Sequence, residues 1–116
     1  MSERYPNYFS TVTPTTKDAF KNKACSLPLS HPNFKRPLAS EVKELRKILG
    51  FSQADLGRLA GKRVTSKGCS HVRKWETDES KSEHRGIDLG VWRMMLYCAD
   101  ICSIEDDLNF IENIKA

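Results

Sequence analysis

No apolar run in these 116 residues is long enough for the hydrophobic stretch of a signal peptide or for a membrane span. That predicts a cytoplasmic protein with no membrane partner. Cysteine is sparse. Cys25, Cys69, Cys98 and Cys102 are the four, and in a cytoplasmic chain they are expected to be reduced thiols. Cys98 and Cys102 lie four apart in an apolar helical stretch and can share one face. Two ligands do not make a zinc site, and no histidine is spaced nearby to complete one. Core packing is the expected role, with no metal and no cofactor. There is no internal repeat, no low-complexity tract and, outside a weak signal near the N-terminus, no alternation with period two.

Proline is absent beyond Pro37. All five (Pro6, Pro14, Pro28, Pro32, Pro37) stand before that point. Proline blocks long helices and favours extended backbone, so residues 1–38 are expected to form a mostly extended, Pro-rich arm. One short helix can start in it at Thr16, with Phe20 and Ala24 on one face. The aromatic content of the arm (Tyr5, Tyr8, Phe9, Phe20, Phe34) suits packing on the body, on a second subunit or on a protein partner.

From Ser40 the apolar spacing turns helical. Ser40 can cap a helix with Val42, Leu45, Ile48 and Leu49 inward, stopped by Gly50 in the left-handed region. Ser52 can cap the next, with Asp55 in its first turn and Leu56, Leu59 and Ala60 buried, stopped by Gly61. Val72 and Trp75 mark a third inward face. Glu76 to Gly86 reads as a polar linker. Ile87 to Ile101 carries Trp92, Met95, Leu96 and Ala99 with helical period. Ser103 can cap a last helix with Leu108, Ile111 and Ile114 along one side. The fold expected is all-α, four to five short helices, with domain boundaries at 1–38, 39–101 and 102–116. The last segment is an acidic amphipathic helix and a candidate dimerisation element.

Acidic residues are missing from one stretch. Between Arg58 and Trp75 there are six positive side chains (Arg58, Lys62, Arg63, Lys67, Arg73, Lys74) and no Asp or Glu. The imbalance extends further: residues 1–38 and 39–86 each carry a net +4, whereas residues 87–116 carry −4. A basic front and an acidic back imply an anionic partner on one side.

The run Leu45-Arg46-Lys47-Ile48-Leu49-Gly50-Phe51-Ser52-Gln53-Ala54-Asp55-Leu56 closely resembles the opening of the Cro/repressor-like (XRE) helix-turn-helix family, L-R-x-x-L-G-[hydrophobic]-[ST]-Q-x-x-L. Val72-Arg73-Lys74-Trp75-Glu76 resembles that family's recognition-helix close, hydrophobic-x-x-W-E. The resemblance spans about residues 40–101. It implies a lambda-repressor-like fold and a sequence-specific double-stranded DNA-binding transcriptional regulator. A repressor from a phage, plasmid or other mobile element, acting as a homodimer on a palindromic operator, is the form it points to. An antitoxin-like or other interaction module that also binds DNA is the alternative, favoured by the arm. Arg46 and Glu76 match a family pair, which implies a structural ion pair. Gln53 matches the position that bonds a phosphate.

If the recognition helix begins as early as Lys67, then Lys67, Ser70, His71 and Lys74 share its outer face, with Arg73 at the flank. Ser70, His71, Arg73 and Lys74 are the expected base contacts. Ser52, Gln53, Arg58, Lys62, Arg63 and Lys67 are the expected phosphate contacts. Two features depart from the family. The segment from Gly61 to Trp75 is longer by about five residues than the family spacing, and Thr77-Asp78 stands where glycine often follows the W-E pair. No catalytic residue is expected. Cys69 and His71 are two apart and diverge on a helix, and there is no phosphate loop.

Overall fold

Apolar side chains spaced three and four apart converge from every helix but the last onto one core. A computed structural model describes residues 12–115; Tyr5, Pro6, Tyr8 and Phe9 lie outside the described residues. Among the described residues the elements are α1 (Lys17–Lys21), a 3-10 turn (Ala24–Ser26), α2 (Ala39–Ile48), α3 (Gln53–Leu59), α4 (Ser70–Trp75), α5 (Leu89–Cys98) and α6 (Ile104–Lys115). No strand occurs among them, only an isolated bridge between Thr65 and Gly68. No helix among them is long and apolar enough to cross a membrane.

Trp92, Phe20, Leu45, Leu56, Ile87, Met95, Leu96, Val42 and Val72 are the large side chains fully removed from water. Each contributes on the order of 1.5–3 kcal/mol by burial, before the entropy of ordering is counted. Trp92 is central. Its ring lies 6.1 Å from that of Phe20, and its indole N–H donates to the Cys25 carbonyl at 2.7 Å. Residues 12–27 therefore belong to the body. Thr16 caps α1 through the Ala19 N–H, and Phe20, Ala24 and Cys25 join the core. The short helix fits because Pro14 precedes it and no proline interrupts it before Pro28.

Several local expectations are revised. Ser40 is not the cap of α2; it is exposed within the helix, where its hydroxyl accepts from Thr13 Oγ1 at 3.1 Å. The start of α2 is satisfied by carboxylates instead. The Leu38 N–H donates to Glu41 (2.7 Å), and the Ala39 N–H donates to Glu79. The segment from Glu76 to Gly86 is thus more than a linker. It holds α2 in place, and within it His84 Nδ1 meets the Thr77 carbonyl at 2.7 Å. Cys98 is exposed rather than in the core, and Cys102 lies beyond α5, its thiol donating to the Ser26 carbonyl at 3.3 Å. The helix stops at Cys98 because Asp100 takes a left-handed conformation, φ 61°.

The backbone repeats itself, contrary to the expectation from sequence. Residues 27–50 and 77–100 follow one succession of turns, extended segment, ten-residue helix and left-handed stop. Their hydrogen bonds match. His31 N–H to the Pro28 carbonyl corresponds to Lys81 to Asp78, Gly50 to Lys47 corresponds to Asp100 to Tyr97, and Phe51 to Arg46 corresponds to Ile101 to Leu96. Each copy ends in a reciprocal cap. Ser52 and Asp55 exchange hydrogen bonds at the start of α3, as Ser103 and Asp106 do at the start of α6. Of the paired residues in 27–50 and 77–100, only Ser30 and Ser80 are identical. The repeat resides in backbone conformation, which many side-chain sequences can adopt.

Candidate functional site

The cap at Ser52 aims α3 at the stretch that follows it. Hydrogen bonds from Ser52 and the nearby Arg58 guanidinium hold the Asp55 carboxyl below the usual carboxylate range, which keeps the cap charged and favourable at a helix start. Gly61, φ 71°, turns the chain out of α3. The longer connection that follows is ordered by three anchors. Val64 packs against the core. Thr65 and Gly68 exchange backbone hydrogen bonds of 2.9 Å in both directions, with Gly68 at φ 103°. Cys69 is buried under α3, where it lies so near Gly57 that a Cβ there would stand 2.7 Å from its sulfur. The connection therefore forms a fixed turn with Lys67 near its tip.

Helix α4 begins at Ser70, later than a start at Lys67 requires, because the Thr65–Gly68 turn occupies the preceding residues. Lys67 thus does not continue the outer face of α4. Val72 and Trp75 point inward, at 0% and 3% exposure. Ser70, His71 and Arg73 are exposed, whereas Lys74 is half-buried and its carbonyl accepts the Arg85 N–H at 3.2 Å.

Arg46 and Glu76 do pair. The Arg46 Nε–H donates to Glu76 Oε2 at 2.6 Å and Nη2 to Oε1 at 3.0 Å, while Nη1 donates to the Phe51 carbonyl at 2.9 Å. The Gln53 amide adds a third donor to Glu76 at 3.1 Å. The two side chains are 12% and 4% exposed. This clamp ties the end of α2, the start of α3 and the end of α4 together.

Between α3, the turn and α4 lies a cleft of about 540 Å³, lined by Gln53, Arg63, Thr65, Lys67, Gly68, Cys69, Ser70, His71 and Arg73. Six of the ten expected DNA-contacting residues meet there. Three of the lining residues are cationic and none is acidic, so the cleft attracts anions. The other four do not line it. The Ser52 hydroxyl accepts the Asp55 N–H. Arg58 is 3.6 Å from Asp55. Lys62 pairs with Asp88 at 2.8 Å, on the approach to α5. Lys74 lies outside the lining. Thr65 and Gly68 are lining residues that the sequence reading passed over; the run Thr65-Ser66-Lys67-Gly68, with glycine in fourth place, is the turn signature that marks them. Nothing local in the sequence signals the Lys62–Asp88 pair.

Cys69 is buried and His71 exposed, and both border the cleft. Among the described residues no three His, Cys, Asp or Glu come together as a metal site would require. Comparison with known proteins finds no matching family model, no matching curated protein and no matching solved structure.

Proposed function

We propose that this chain is a double-stranded DNA-binding transcriptional regulator of the helix-turn-helix kind, with α3 and α4 as the paired helices and α4 as the reading helix. The observation that carries the proposal is the cleft between them, with Arg63, Lys67 and Arg73 on its walls and no carboxylate. The resemblance of Leu45–Leu56 and Val72–Glu76 to the XRE family supports the same reading. It favours a cytoplasmic homodimeric repressor on a palindromic operator.

In this reading Ser70, His71 and Arg73 face base edges and Lys74 reaches them from the flank of α4. Gln53, Arg63 and Lys67 hold the phosphate backbone, aided by the first N–H groups of α3. Lys62 stays in the phosphate set, its ammonium paired in the free protein with the solvent-exposed carboxylate of Asp88. Arg58 and Ser52 remain at the periphery. The interaction-module alternative loses Phe20 as an exposed anchor, since Phe20 is 0% exposed in the core.

Footprinting on the DNA flanking the protein's own gene would locate an operator. Lys67→Ala and Arg63→Ala should then weaken operator and random DNA alike, each lowering the salt slope by about one. Arg73→Ala should cost about 1–3 kcal/mol on operator and relax preference at one base pair. No footprint, together with salt-independent binding, would overturn the proposal.

A further inference from the structure

The backbone repeat places α6 where α3 stands, and α3 shows what a helix in that place receives. The matched caps at Ser52 and Ser103 set the register, so Gln53, Gly57 and Ala60 correspond to Ile104, Leu108 and Ile111. On α3 this face takes α4. Gly57 lies against Cys69 at the start of α4, and Gln53 reaches Glu76 at its end. The helix taken is short and basic. Val72 and Trp75 turn inward three apart, Arg73 and Lys74 stand in the last turn, and the first turn holds no acid.

On α6 the same face is open, with Ile104, Leu108 and Ile111 exposed at 51%, 55% and 46%. The body is held from another side of the helix, where Asp107 binds Arg93 and Tyr97 and Phe110 stacks on His31 at 5.6 Å. Negative charge borders the open stripe. Between Arg93 and Lys115 stand five acids (Asp100, Glu105, Asp106, Asp107, Glu112) and no Lys or Arg. Asp107 is answered by Arg93, and Asp106 caps the helix at Ser103. Glu105 and Glu112 are seven apart and each directly follows a residue of the stripe, so they form one edge of it. Glu112 pairs with Lys115 at 3.5 Å in an exposed contact, which a competing cation displaces at little cost.

We infer that this face docks a basic amphipathic helix of another protein, with apolar residues three and four apart on one side and Lys or Arg beside them. A second copy of α6 does not meet that description. In either direction it sets acidic edge against acidic edge, with one lysine in each helix to offset four acids. Leucine and isoleucine in place of Gly57 and Ala60 hold the incoming helix farther off than α4 is held, at the spacing of a coiled coil. The stripe is short, so the complex is weak, and charge attraction that salt screens supplies its selectivity. The inference does not rest on the DNA reading, and its test contains no DNA.

The probe is a labelled synthetic amphipathic helix of about 20 residues, with Leu three and four apart and Lys beside them. A companion peptide carries Glu in place of each Lys. Titrated with the full chain in reducing buffer, the Lys peptide should bind about tenfold tighter than the Glu peptide and lose affinity several-fold as salt rises. Leu108→Gln should weaken it several-fold with the helical circular dichroism unchanged, since Leu108 is exposed in the subunit. Glu105→Gln combined with Glu112→Gln should also weaken it and remove most of the salt dependence. Equal affinity for the two peptides overturns the inference, as does Lys-peptide binding that Leu108→Gln leaves unchanged. Sedimentation velocity on the full chain tests the other occupant: self-association that Leu108→Gln abolishes assigns the face to a second copy and overturns the inference.

Discussion

Replacing Glu76 by alanine is the sharpest test of how the three central helices are held. The carboxylate accepts two hydrogen bonds from Arg46 and one from Gln53, and the paired side chains are almost closed off from water. Its loss leaves the Arg46 guanidinium half-enclosed with only the Phe51 carbonyl as partner. An uncompensated buried charge of that kind costs on the order of 3 kcal/mol. For a domain of this size that corresponds to a fall in Tm of roughly 15 °C. Arg46→Ala should cost a similar amount. The double variant should be far less damaged than the sum, because each single change already forfeits the same pair, and the coupling should be about 2 kcal/mol. Urea unfolding of the four proteins measures it, with equal m-values as the check that the unfolded states are alike. Losses below about 1 kcal/mol for each variant, adding in the double, would refute the view that this pair is a buried clamp rather than a solvated surface contact.

Two further outcomes follow from the core and from the acidic helix. Phe20→Ala should destabilise by about 3–5 kcal/mol in thermal or urea unfolding, because it removes a fully buried ring packed on Trp92; a change under 1 kcal/mol would mean that residues 12–27 do not belong to the core. Although partial burial opposes it, the hydrogen bonds of Arg93 and Tyr97 hold the Asp107 carboxyl below its ordinary value. A depressed folded-state value stabilises the protein above the unfolded pKa of about 4, and that contribution fades as pH falls through the lower folded value. Asp107→Asn should therefore cost about 2 kcal/mol at neutral pH and flatten the acid limb of a stability-against-pH curve; an unchanged acid limb would count against the linkage.

Much of the architecture was legible because it is written in short-range pattern. The caps at Thr16, Ser52 and Ser103, the left-handed stops at Gly50 and Gly61, and the inward pairs such as Val72 and Trp75 are each decided within a few residues, where backbone sterics and side-chain periodicity act. The cations of the cleft were legible for the same reason, since an acid-free run can be counted. The Arg46–Glu76 clamp came from resemblance, because nothing in a local window joins residues thirty apart.

Tertiary structure alone decided the rest, through contacts whose partners are remote in sequence. Whether Phe20 sits on an arm or in a core depends on Trp92. The ion pair of Lys62 depends on Asp88, and the start of α2 depends on Glu79. The later start of α4 depends on the turn that Thr65 and Gly68 close. The backbone repeat escaped the sequence for a different reason. Hydrogen bonds and φ angles define it, and side chains as unlike as Gly50 and Asp100 satisfy the same left-handed stop.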